Sequence, residues 1–151
     1  MTLNGSVGSQ SGTLLSSTPT STNLSFNSAG FWSYGDSIVA YLFATKAGIS
    51  KVGSYTGNGT SQTINCGFAA GARFILIKRT DAAGDWFVWD SVRGITSSYD
   101  PFLRLNTTDA EVTYYNVIIP NSTGFGVQTD PEGQGNPVNT NFASYIYLAI
   151  N

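Results

Sequence analysis

From Leu24 onward, apolar positions come in short runs of four to eight residues, cut by Gly, Pro, Asn and Asp. Ser37-Ile38-Val39-Ala40-Tyr41-Leu42-Phe43 is a continuous β-favouring run, as expected of a strand buried on both sides. Ile49 to Tyr55 predicts the next strand, Gly57-Asn58-Gly59 a turn, and Thr60 to Cys66 another strand. Arg73 to Arg79 (RFILIKR) reads as a central strand, and Trp86 to Arg93 as its partner. The loop between them, Asp81-Ala82-Ala83-Gly84-Asp85, is a hairpin loop with Gly84 at a position suited to positive φ. Weaker patterns predict strands over Pro101 to Asn106, Val112 to Ile119, Gly124 to Thr129 and Phe142 to Ile150. No segment sustains apolar spacing at i, i+3, i+4 and i+7 with helix formers, so no helix is expected. Turn signals every 8–12 residues indicate an all-β fold, an antiparallel β-sandwich of jelly-roll-like type with an extended N-terminal arm.

The N-terminal stretch differs from the rest. Thirteen of the first thirty residues are Ser or Thr, and Asp36 is the first charged residue. Such a composition cannot bury enough apolar surface to offset its ordering entropy alone. The expected organisation is therefore an anchoring arm over 1–23, ordered against a partner, and a sandwich over 24–151. Leu14, Leu15, Leu24, Phe31 and Trp32 are the apolar residues of this region expected to make partner or assembly contacts. Gly30-Phe31 followed by Val39 to Ala44 also echoes Gly124-Phe125 followed by Tyr145 to Ile150, as if a Gly-Phe strand and a closing strand occurred twice.

Composition narrows the chemistry. The 151 residues suit a single domain that buries about 70% of its unfolded surface. Only 11% of residues are charged, against a usual value of about 25%. Seven basic and nine acidic residues leave a net charge of −2, which offers no footprint for nucleic acid. There is no histidine and only one cysteine, Cys66, so Ser-His-Asp and Cys-His catalysis, Cys/His zinc sites and an intrachain disulfide are all excluded. No apolar run approaches the ~18 residues of a membrane span, and residues 1–22 do not read as a secretory signal. Five Asn-x-Ser/Thr triplets, at Asn4, Asn23, Asn58, Asn106 and Asn121, follow from a composition rich in these residues rather than from glycan attachment.

Glycosidase chemistry needs only two carboxylates ~5–9 Å apart. Most of the acids sit beside turns: Asp81 and Asp85 flank the hairpin loop, Asp100 precedes Pro101, and Asp130 precedes Pro131. Asp90 is the exception, lying inside an aromatic strand with Arg93 and Lys78 as candidate partners. The expectation is a protein that is not an enzyme and carries no cofactor or metal. Calcium is the weaker alternative, on the oxygen-rich loops Asn106 to Glu111 or Asp130 to Asn136, neither of which has EF-hand spacing. Aromatic residues reach 13% and cluster as Phe31-Trp32, Trp86-Phe87-x-Trp89 and Tyr114-Tyr115. Exposed rings beside Asn, Thr and Asp can stack on sugars. Trp86, Trp89, Asp90, Tyr99 and Tyr114 are the candidate binding residues. Period-two alternation puts Trp86 and Val88 on one face and Phe87 and Trp89 on the other, and one of these faces must be core.

The stretches SKVGSYTGNG (50–59), GARFILIKRTD (71–81), GDWFVWD (84–90), Arg93-Gly94, DPFLRLN (100–106) and the closing Tyr145 to Ile150 resemble a family of β-rich domains in tailed-phage virion proteins, especially phages of marine bacteria and cyanobacteria. The resemblance also takes in VAYLFAT (39–45), covers about three quarters of the chain, and is most specific over KRTD (78–81) and GDW (84–86). It implies a structural component of the virion, located at the particle surface, with no catalytic residues. Members of that family are typically C-terminal units of long tail-fibre-like or other virion proteins; this chain lacks a shaft, and an arm of some twenty residues reaches at most ~70 Å. A capsid-decorating knob or cement protein is therefore the expected role, with a glycan- or receptor-binding tip of a tail fibre as the alternative. The partners implied are the major capsid protein or tail proteins, further copies of the chain in a homo-oligomer such as a trimer, and host surface polysaccharide. Association would come from the arm and the strand Ile38 to Phe43, by ordering along a partner or by adding a strand to an open sheet edge.

Overall fold

The structure, a computed structural model, describes residues 17, 18, 20, 22–26, 41–128 and 137–151. The chain divides into one unit comprising Phe43–Asn151 with Met1–Ser9 and a second comprising Gln10–Leu42. In the second unit Leu24 is half-buried, whereas Leu14, Leu15, Phe31 and Trp32 lie outside the described residues.

Among its described residues Phe43–Asn151 holds eight strands and no helix: β1 (Ser50–Thr56), β2 (Gln62–Asn65), β3 (Phe74–Arg79), β4 (Trp86–Asp90), β5 (Leu103–Arg104), β6 (Ile118–Asn121), β7 (Gly124–Val127) and β8 (Ser144–Ile150). They form two antiparallel sheets, one of order β1-β8-β3-β4-β5 and one of order β2-β7-β6. The all-β sandwich expected from the strand-and-turn pattern is the observed class, and β3 is the central strand of the larger sheet. The core lies where the inward positions of the two sheets meet. Ile75, Ile77, Phe87, Trp89, Tyr145, Tyr147 and Ala149 come from the larger sheet, and Ile64, Ile118, Phe125 and Val127 from the smaller. Alternation works as predicted in β4, with Phe87 and Trp89 directed into this core.

Several outward positions of the central strands are also withheld from solvent. Val88, Leu148 and Lys78 are all buried. Apolar residues on both faces explain why these strands read as continuous hydrophobic runs rather than as alternating ones.

Polar side chains close the loops. Asn139 is buried and uses both ends of its amide. Its Nδ2 donates to the carbonyls of Thr60 (2.6 Å) and Gln128 (3.1 Å), while its Oδ1 accepts from the Asn58 N–H (3.1 Å) and Gln62 Nε2 (2.8 Å). Asp81 ties the β3–β4 loop to β8: it pairs with Arg79 at 2.9 Å and accepts the Ser144 N–H at 3.1 Å. The hydrogen bond from Arg79 holds its pKa down at about 2.

Two expectations are corrected. Tyr41, Leu42 and Phe43 are exposed and carry no strand, so the described end of the run from Ser37 is not a doubly buried strand. An apolar run establishes only what a strand could bury, and here these three residues have no ladder partner. Gly84 does not have positive φ; among the described residues the positive-φ glycines are Gly48, Gly59, Gly67, Gly71 and Gly94. A side chain at Gly84 would instead crowd Arg79, its added Cβ standing 3.2 Å from the Arg79 Cβ, and its carbonyl accepts from Lys78 Nζ. At the β1 edge, most outward backbone groups are taken up within the chain. Lys46 exchanges backbone hydrogen bonds with Ser50, the Thr45 hydroxyl bridges the N–H and C=O of Val52, and Gln62 Nε2 covers the Thr56 carbonyl. Edge groups occupied in this way resist strand addition. Of the internal echo, the second half is present as β7 and β8, while residues 30, 31, 39 and 40 lie outside the described residues.

Candidate functional site

Beyond β4 the chain turns sharply because Asp90 ends the strand. Its Oδ1 accepts the N–H groups of both Val92 and Arg93 at 2.9 Å, and its Oδ2 pairs with the Arg93 guanidinium. Arg93 also reaches Glu111 at 3.5 Å. Two loop segments then run side by side. Asn116 Nδ2 donates to the Ser97 carbonyl (3.2 Å), the Asp100 N–H to the Tyr115 carbonyl (2.9 Å), and Phe102 and Val112 form an isolated bridge. This pairing brings Tyr99 and Tyr114 onto adjoining segments, both with more than half of their surface exposed (56% and 58%).

A continuous set of rings supports this surface from within. Phe87 stacks near Trp89 (centroids 6.0 Å apart), Trp89 meets Phe102 (5.5 Å), Phe102 meets Tyr115 (6.1 Å), and Tyr115 meets Tyr114 (4.6 Å). Tilted and edge-on pairs of this kind add to area burial and fix ring orientation. Tyr114 is therefore an exposed phenol held against a rigid stack that begins in the core.

Asp100 fixes the same region from below. It is fully buried, and its two carboxylate oxygens accept the N–H groups of Val117 (2.8 Å) and Ile118 (3.0 Å), where β6 begins. Burial pushes its pKa up to about 7, against the opposing pull of the Ile118 and Val117 N–H groups. The reading of Asp100 as a turn residue before Pro101 is thus too modest. Nothing local distinguishes an Asp-Pro turn from an aspartate that ties two segments together in the core.

The predicted binding residues separate. Tyr99 and Tyr114 come together at the surface. Trp89 is fully buried and presents no face to a ligand, which corrects its assignment as a binding residue. Trp86 is half-buried on the opposite face of β4, its N–H bonded to Asn106 Oδ1 (2.8 Å), so the two tryptophans cannot form one platform. Asp90 is committed to capping and to Arg93. The backing residues Tyr115 and Phe102 went unassigned by sequence, although the Tyr114-Tyr115 pair was itself a usable signal.

Charged groups flank the stack in pairs. Arg104 lies between Asp85 and Asp109, each at 3.2 Å, and its guanidinium stands over the rings of Phe87 (5.9 Å) and Phe102 (5.6 Å). Asp109 and Glu111 thus serve two different arginines instead of converging on a cation. Among the described residues, no three His, Cys, Asp or Glu side chains gather as a metal site. The calcium alternative at Asp130 to Asn136 lies outside the described residues. Cys66 is a free, buried thiol whose pKa burial raises, which disfavours the reactive thiolate. Among the described residues no helix is long and apolar enough to cross a membrane.

A family model described as a domain of unknown function (DUF7483) matches residues 1–151, and the chain belongs to that family. No curated protein and no solved structure matches the chain.

Proposed function

We propose that this DUF7483 chain is a non-enzymatic structural protein of a phage particle, displayed on the particle surface as a capsid-decorating body and attached through its N-terminal segment. The observation that carries this reading is the state of the carboxylates. All six described acids have structural partners: Asp81 with Arg79, Asp85 and Asp109 with Arg104, Asp90 and Glu111 with Arg93, and Asp100 with two backbone N–H groups. A body whose acids all tie loops together suits a rigid building block better than acid–base catalysis, which needs a carboxylate free to exchange a proton with substrate. The stretch that carries the phage-protein resemblance most specifically, residues 78–86, spans the β3–β4 turn at the centre of the larger sheet. Deleting Met1 to Asn23 tests the anchoring step. The truncated protein should keep its β-sheet circular dichroism and fail to co-sediment with particles; retained co-sedimentation would refute the attachment.

The exposed Tyr99 and Tyr114 favour a second reading, a receptor-binding tip of a tail fibre that stacks host surface polysaccharide on these rings. Binding of that polysaccharide, lost on Tyr114→Ala, would favour the tip, and copy number per particle separates the two readings. A number comparable to that of the capsid subunits belongs to decoration, and a number comparable to that of the fibres belongs to a tip.

A further inference from the structure

A second surface, separate from the tyrosines, has the opposite character. An open depression of about 430 Å³ is lined by residues 70–73, Ser91, Ile95 and 120–122. Its walls are fixed by backbone. The Ala72 N–H donates to the Gly124 carbonyl (2.9 Å), the Arg73 N–H to Ile150 (2.7 Å), and the Ser91 N–H to the Arg73 carbonyl (2.8 Å). Gly71 has φ +87°, and a Cβ there would stand 2.7 Å from the Asn121 carbonyl, so only glycine lets these two walls meet.

Most side-chain donors on these walls are unengaged among the described residues. Of the four arginines, Arg79, Arg93 and Arg104 are in ion pairs, while exposed Arg73 has no partner among the described residues. Asn121 has its amide oriented by Thr123, whose N–H (2.9 Å) and hydroxyl (2.8 Å) both donate to Oδ1, leaving Nδ2 as an available donor. The hydroxyls of Ser91 and Ser122 likewise have no partner among the described residues. The nearest acid in sequence, Asp90, is held by Arg93. Ile95 and Pro120 supply the apolar wall.

We propose that this depression is a binding site for a carboxylate-bearing sugar of the uronate type. The Arg73 fork receives the carboxylate, the Asn121 amide and the two serine hydroxyls meet ring hydroxyls, and Ile95 and Pro120 meet the apolar face of the ring. A guanidinium matches a carboxylate with two parallel hydrogen bonds. A single guanidinium suits one carboxylate of the ligand, and a few placed polar groups on a preformed concavity are what a small ligand needs. The site stands apart from the particle-surface reading; a chain that failed to attach to particles would still bind the sugar.

The test is a titration of the full-length chain with digalacturonate, followed by amide chemical shifts and by calorimetry. Uncharged digalactose and a short Asp/Ser peptide serve as comparison ligands. Digalacturonate should shift the amides of residues 71–73, 91 and 121, and digalactose should bind at least tenfold more weakly. Arg73→Gln should weaken digalacturonate at least tenfold, Arg73→Lys less, and Asn121→Ala severalfold. Shifts elsewhere, equal affinity for the uncharged sugar, an unaffected Arg73→Gln variant, or tighter binding of the peptide would each overturn the assignment. The comparison between ligands on the unmodified chain keeps the result decisive even if a variant misfolds.

Discussion

The flank of the aromatic stack and the depression beside Arg73 treat the same kind of residue in opposite ways. Along β4 and β5, Arg93 and Arg104 each lie between two carboxylates, and Arg104 also covers two core rings. At the depression, Arg73, Asn121, Ser91 and Ser122 lie together, and among the described residues no acid takes up their donors. The difference teaches how to separate scaffold from site in a chain with few charges. Where polar groups saturate one another they hold loops in place, and where donors are preorganised yet unengaged the fold has left room for a ligand. Four substitutions, in decreasing order of damage, test that division.

Asn139→Ala should be the most damaging. It leaves the Thr60 and Gln128 carbonyls, the Asn58 N–H and the Gln62 amide without their shared partner in a buried position. Unsatisfied buried groups cost about 1–3 kcal/mol each, with partial relief from water at the loop, so a loss of roughly 4 kcal/mol is expected. The urea midpoint measures it, and a loss below about 1 kcal/mol would show that this amide does not organise the loops.

Asp100→Ala comes next, at about 3 kcal/mol, because two buried N–H groups lose their acceptor. The group also gives stability a pH dependence of definite sign. Its pKa in the folded chain, about 7, lies above the ordinary 3.8. The folded state therefore binds its proton more tightly than the unfolded state. The contribution is fully present below about pH 4 and is lost as pH rises through 7. Urea midpoints of the unmodified chain should fall over this interval more steeply than those of Asp100→Asn, which has no proton to lose. Parallel profiles would remove the linkage.

These two residues also mark how far sequence reasoning reaches. The β3–β4 hairpin was legible because Phe74 to Lys78 and Trp86 to Trp89 combine β-branched and aromatic residues around a turn of Asp and Gly, signals that are local. The role of Asn139 was not legible. It takes partners at residues 58, 60, 62 and 128, and no local pattern encodes a contact that distant. The same holds for Asp100, which looked like a turn residue. At the tyrosine surface, Tyr114-Tyr115 was visible as a pair, but exposure of Tyr99 depends on the segment at 114–116 packing alongside it. Alternation correctly divided β4 into two faces and so carried the means to exclude a joint Trp86–Trp89 platform; which face became core depended on where the second sheet lay. The depression left no signal at all, since its walls come from residues 70–73, 91, 95 and 120–122.

Arg104→Gln should cost about 1 kcal/mol. Partly exposed ion pairs contribute little individually, and the larger share comes from the guanidinium over Phe87 and Phe102. Arg104→Met, which keeps apolar cover on the rings while removing the charge, should recover part of that loss. If Met and Gln prove equally destabilising, the ion pairs matter more than the cover, and the flank is held by charge.

Arg73→Gln should change stability least, by less than about 0.5 kcal/mol, as expected of an exposed side chain with no partner among the described residues. Its backbone N–H and C=O hold the ladder to Ile150 and Ser91, and glutamine preserves both. A neutral effect on the urea midpoint, set against the loss at Arg104, would show that the two arginines do different work although the sequence presents them alike. A destabilisation matching that of Arg104 would mean that Arg73 already has a structural role in the fold. The depression would then belong with the saturated regions, and its donors would not be reserved for a ligand.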